Sequence, residues 1–137
     1  MWFDNQVSKN EDDKRYQLQL ANLITVIESV TREVDDIATN LQEEYPAMAL
    51  KDFSTKFEQI SKNFTNYITI RKDPLFEIFQ RSKDRLAFAR AIAGEAKKLA
   101  QFFEKYSKNP SNYSATNSRI EINKLQAQLA NLKGTYS

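Results

Sequence analysis

Apolar residues recur along most of this chain at steps of three and four. In the first third, Leu20, Ile27, Val34 and Leu41 form one row at seven-residue spacing. Leu23, Val30 and Ile37 form a second row, and Ile24, Ala38 and Tyr45 widen the stripe. Three rows suit a helix that touches at least two neighbours, whereas a strict two-row seam would suit a two-stranded coiled coil. Ser8 and Glu11 have capping-box spacing, and Asp12 and Asp13 suit a positive helix start. Pro46 disfavours helical backbone at Tyr45. The pattern predicts helix 1 over about 9–44.

The next stripe is aromatic. Phe53, Phe57, Ile60, Phe64 and Tyr67 step by four and three, which predicts helix 2 over about 52–72, or from nearer Pro46. Such a stripe can stack bases or sugars, but heptad spacing is first of all what core packing requires. Asp73 and Pro74 read as the N-cap and first residue of helix 3, over about 74–107. Leu75, Ile78, Phe79 and Leu86 continue its buried face. Ala89, Ala93, Ala96 and Ala100 follow as a small-residue groove flanked by Phe103, a candidate helix–helix interface. Gly94 beside it costs about 1 kcal/mol relative to alanine, which a close helix crossing would offset. Residues 107–118, "SKNPSNYSATNS", lack periodicity and read as a flexible linker. Ser118 and Glu121 have capping-box spacing, Gly134 fits a helix stop, and Ile122, Leu125, Leu129 and Leu132 line a face. These predict helix 4 over about 119–133.

The expected fold is therefore a single all-α domain over 1–137: an elongated antiparallel helical bundle or coiled coil of four helices, two long and two shorter. Helix 4 would be about 22 Å long against roughly 50 Å for helices 1 and 3. A monomer would then leave Tyr16, Leu20, Phe103 or Tyr106 near water in one patch. Large exposed apolar patches are uncommon in monomers, so a second chain is expected to cover it.

Composition narrows the function. Among 137 residues there is no histidine and no cysteine. That removes the usual general base, the commonest metal ligand and thiol chemistry. No glycine-rich phosphate loop or nucleophile motif is legible, so the chain reads as non-enzymatic and without a cofactor. "NFT" at 63–65 and "NYS" at 112–114 match the glycosylation tripeptide, the first within a predicted helix. Neither a signal peptide nor a transmembrane segment is legible, which favours the cytoplasm.

Charge adds a polarity. Residues 1–70 carry seven Lys/Arg against twelve Asp/Glu, net −5. Residues 71–137 carry thirteen against six, net +7. Pairing of acidic with basic helices inside the fold accounts for this most simply. Alternatively, Arg71, Lys72, Arg81, Lys83 and Arg85 form a patch for an anion or lipid. The leading expectation is a helical interaction or scaffold module that acts through self-association, as a homodimer, or through a partner helix. In a homodimer, acidic helix 1 would lie against basic helix 3 of the second copy. The first alternative is a membrane-surface module using the basic 71–108 region. Its long helices and charge are similar to the BAR-like class in length and charge only. The second alternative is the ligand-binding domain of a helical sensor. Nucleic acid is not an expected partner, because the overall charge is nearly balanced and no reading motif occurs.

Overall fold

The computed structural model describes residues 24–70 and 80–136. Among the described residues four helices pack in a bundle-like way: α1 over 24–39, α2 over Ala47–Ile70, α3 over Gln80–Ser107 and α4 over Ala115–Gly134. A short 3-10 turn, Pro110–Asn112, precedes α4, and no strand occurs among the described residues.

The apolar rows close on one another. Ile27, Val30, Val34 and Ile37 of α1 meet Leu50, Phe57, Ile60 and Phe64 of α2 in one buried cluster. Ile92, Leu99 and Phe103 of α3 and Ile122, Leu125, Leu129 and Leu132 of α4 complete it. Each such side chain contributes roughly 1.5–3 kcal/mol when fully buried.

Numbered contacts give the direction of each helix. Between α2 and α3, Lys51 meets Glu104, Ser54 meets Ala100, Glu58 meets Lys97 and Ser61 meets Ala93. Rising numbers on one helix answer falling numbers on the other, so the pair is antiparallel. On α4, Thr135 just past the helix end meets Arg85 near the start of α3. Asp35 of α1 accepts a hydrogen bond from Gln126 of α4 at 2.8 Å.

Several boundaries differ from the sequence expectation. Helix α1 stops at residue 39, five residues before the expected 44. Tyr45 folds back instead of continuing the helix: its hydroxyl accepts from the Gln42 amide at 2.8 Å and donates to the Asn40 carbonyl at 3.4 Å. Helix α2 starts at Ala47, where the Pro46 carbonyl accepts from the Leu50 amide at 3.2 Å. The expected linker over 107–118 is shorter, because α4 begins at Ala115. Ser114, in extended backbone at φ −126 and ψ 117, caps α4 by accepting from the Asn117 amide. Ser118, expected in that role, is buried inside the helix and donates to the Ser114 carbonyl at 3.1 Å. Both serines offer the capping geometry, but the earlier start also buries Ala115 and Tyr113. Gly134 is the last residue of α4 rather than a left-handed stop. Thr135 follows it with right-handed backbone, φ −69 and ψ −14. The expected caps at Ser8–Glu11 and Asp73–Pro74, and Tyr16, Leu20 and Leu23, lie outside the described residues.

At 20 residues α4 exceeds the expected helix, and α2 has 24 residues against 28 in α3. The length mismatch thus narrows on both sides of α3. Phe103, expected near water, has no exposed surface.

Candidate interaction surfaces

Of the predicted anion patch, only Lys83 and Arg85 have described side chains. Arg71, Lys72 and the side chain of Arg81 lie outside them, and Lys83 is exposed. Arg85 is engaged within the fold: Nε donates to Thr135 Oγ1 at 3.1 Å, and Nη2 donates to the Thr135 carbonyl at 2.7 Å. Its guanidinium also stands 3.8 Å over the Tyr136 ring, whose hydroxyl is 3.5 Å from that of Tyr67. A cation is well placed at a helix C-terminus, where carbonyls lack partners. Arg85 therefore clamps the end of α4 to the start of α3.

The predicted helix–helix residues all lie in the chain's own interior. Ala89, Ala93, Ala96, Ala100 and Phe103 are buried. Against this stripe α2 presents Ser54 and Ser61, whose hydroxyls donate to the Ala100 and Ala93 carbonyls at 2.7 and 2.9 Å. Phe103 is the centre of a ring cluster, stacked on Phe57 at 5.6 Å and tilted on Phe53 at 5.2 Å. Tyr45 and Tyr113 extend the cluster to the end of the bundle. The expected role of Gly94 is not met within the chain. It is exposed, and an added Cβ would meet nothing within 4 Å.

Gly94 lies instead in the middle of a basic outer face. Lys83, Ala87, Arg90, Gly94, Lys97, Lys98, Gln101, Glu104 and Lys105 are all exposed. At 100° per residue they fall within about a third of the helix circumference and span about 33 Å, with exposed Lys108 just beyond. Six cations thus face one carboxylate. Lys97 reaches Glu58 of α2 at 2.9 Å, and Lys98 lies 3.7 Å from Glu95. Lys83, Arg90, Lys105 and Lys108 have no carboxylate at ion-pair distance among the described residues. Sequence reading named the basic 71–108 region but did not resolve it into this face. Its signal is the seven-residue spacing of Lys83, Arg90 and Lys97, of Lys98 and Lys105, and of Ala87 and Gly94.

Grooves flank the seams among the described residues, including one of 370 Å³ between α2 and α3 lined by Lys51, Glu58, Lys97 and Glu104 among others. Another of 570 Å³ between α1 and α2 has Val26, Val30 and Ile60 among its lining, with Thr, Ser, Gln and Asn around them. A third of 380 Å³ between α3 and α4 is lined by Lys98, Phe102, Asn117, Ile120 and Glu121. None brings a set of polar groups to one buried point. The Tyr113 phenol is displaced from its ordinary value. Burial pushes its phenol up, Tyr45 and Glu43 add to the rise, and Ser118 and Arg119 pull against it. Asn63 of the first glycosylation triplet is exposed on α2, and Asn112 of the second is exposed on the 3-10 turn.

Among the described residues, no helix is long and apolar enough to cross a membrane. No known protein family, no curated protein and no solved structure matches this chain, so its own residues carry the functional reading.

Proposed function

We propose that the chain is a non-enzymatic interaction module, an elongated antiparallel four-helix bundle that binds a partner or a second copy through its outer helix faces. The observation that carries this reading is the outer face of α3. Five cations and one carboxylate line about 33 Å of helix, with a sixth cation, Lys108, just past its end and a glycine in open space at its centre. Packing within the chain does not account for that glycine, which costs about 1 kcal/mol in a helix interior. It would let another helix come close, while the cations favour an acidic one.

The membrane-surface alternative uses the same cations. Two features of the fold weigh against it: Arg85 is spent on Thr135, and the outer face of α3 carries no large apolar side chain to enter a bilayer. The test measures two kinds of binding. Sedimentation equilibrium from micromolar to submillimolar protein reads self-association above the 15.9 kDa monomer. Co-sedimentation with phosphatidylcholine vesicles, with and without phosphatidylserine, reads the membrane. The proposal expects the first and not the second. Phosphatidylserine-dependent sedimentation of a strictly monomeric protein would replace it with the membrane reading.

A further inference from the structure

We infer that the basic outer face of α3 docks on the acidic outer face of α1 of a second copy, giving open head-to-tail association rather than a closed dimer. The inference rests on the proposed self-association and names its two surfaces. The outward side of α1 presents Glu28, Asp35 and Asp36 around a single Arg32, all exposed. The turn after it adds exposed Glu43 and Glu44. This is the acidic counterpart of the Lys83–Lys105 face, and complementary potentials of this kind orient two proteins and suppress wrong pairings.

The packing order decides how the contact propagates. Helix α2 lies against α3 through Ser54 and Ser61, and against α1 across their shared groove. Helix α4 lies against α3 through the Arg85 clamp, and against α1 through Gln126 and Asp35. Helices α1 and α3 thus stand at opposite corners, and their outward faces look in opposite directions. A two-fold axis cannot place α1 of each copy on α3 of the other at one interface. The contact is heterologous, and without ring closure it grows by adding copies. The charge polarity read from the sequence becomes an acidic side and a basic side of one bundle. Gly94, at the centre of the basic side, leaves room for a close approach there.

The full chain tests this with two charge-reversed variants and one steric variant. R90E/K105E leaves four cations against three carboxylates on the α3 side and keeps the α1 side acidic; E28K/D36K leaves three cations against three carboxylates on the α1 side and keeps the α3 side basic. Each alone is expected to stay monomeric, and their mixture is expected to associate again, because opposite faces are restored. Gly94→Trp is expected to abolish association without lowering the melting temperature, since the added side chain enters open space. For the unmodified chain, mass is expected to climb past the dimer with concentration. The apparent dissociation constant is expected to rise about tenfold as ionic strength increases from about 0.01 to about 0.15 M. If the unmodified chain associates and the variants associate equally well, these two faces are wrong while self-association stands. A species that stops at twice the monomer mass overturns the open arrangement. A single monomer at every concentration and salt overturns both this inference and the self-association it rests on. Should R90E/K105E lose phosphatidylserine binding in a chain that never self-associates, the α3 face belongs to a membrane instead.

Discussion

The Ser54 hydroxyl donates to the carbonyl oxygen of Ala100 at 2.7 Å, across the seam between α2 and α3. Seven residues on, Ser61 repeats the contact with Ala93 at 2.9 Å, seven residues back. Serine is short enough for two helix backbones to come close, and alanine opposite it adds little bulk. Each hydroxyl would be a buried orphan in an apolar seam, so the facing carbonyl, with its second lone pair, satisfies it. The two bonds also tie the register, because a slip of one residue breaks both together.

Ser54→Ala and Ser61→Ala are each expected to cost about 0.5–1.5 kcal/mol. The carbonyl left behind keeps its intrahelical partner, so the larger penalty for an orphaned group does not apply. The sites are about 10 Å apart along the helix, and the double variant should therefore be additive within about 0.5 kcal/mol. Urea denaturation of the three variants reads this. A loss near zero in both single variants would mean that the serines are fillers, not register pins.

Ala93 and Gly94 are neighbours in sequence with opposite surroundings. Ala93 is 9% exposed and faces α2, whereas Gly94 is exposed with open space around it. Ala93→Leu is expected to cost about 1–3 kcal/mol through overpacking. Gly94→Ala is expected to stabilise the monomer by about 0.5–1 kcal/mol, by removing the conformational freedom of glycine in the unfolded chain. Melting curves of the two at low protein concentration should move in opposite directions, and shifts of the same sign would contradict this assignment of faces.

These two residues also mark what was legible from sequence. Heptad spacing found the buried faces of all four helices, because burial selects apolar residues at every turn. Ala93 lies on the packed face, whereas Gly94 meets no neighbour within the chain, since smallness alone does not say which side a helix turns inward. The ends of helices were harder. Tyr45 continues the apolar stripe of α1 in sequence, yet reaches the core from a turn, edge-on to Phe53 and Tyr113. Ser114 and Ser118 both offer a capping hydroxyl, and only tertiary burial of Tyr113 and Ala115 selects the first. Arg85 looked like one member of a basic run. Its partner is fifty residues away at Thr135, a distance that local pattern cannot span.

Arg85→Ala is expected to destabilise the fold by about 1–2 kcal/mol, through loss of a charged hydrogen bond to a helix-end carbonyl and of its stacking on Tyr136. Arg85→Lys should recover little, because a lysine ammonium cannot bond two oxygens in a plane while lying over a ring. Hydrogen exchange localises the effect: amides in the last turn of α4 should lose protection before those around Leu125. Unchanged exchange in that turn would rule out the clamp.

Tyr113 is 9% exposed and carries a hydroxyl without a hydrogen-bond partner among the described residues. The Ser118 hydroxyl lies close enough to favour ionisation somewhat, but its own proton goes to the Ser114 carbonyl, so burial dominates and the phenol titrates above its ordinary value of 10.0. The unfolded chain releases this proton near pH 10, while the folded chain holds it to higher pH. Between those two values the folded state binds more protons than the unfolded state, so stability falls as pH rises. Below pH 10 the contribution is constant. Tyr113→Phe removes both the titration and the unsatisfied hydroxyl while keeping the ring against Phe103 and Tyr45. The variant is therefore expected to match or exceed the parent at neutral pH, and to lose less stability as the solution is taken above pH 10. Urea midpoints at neutral pH and above pH 10 measure both effects. A variant clearly weaker than the parent at neutral pH would show that the hydroxyl is satisfied after all, and parallel losses above pH 10 would assign the alkaline slope to other groups.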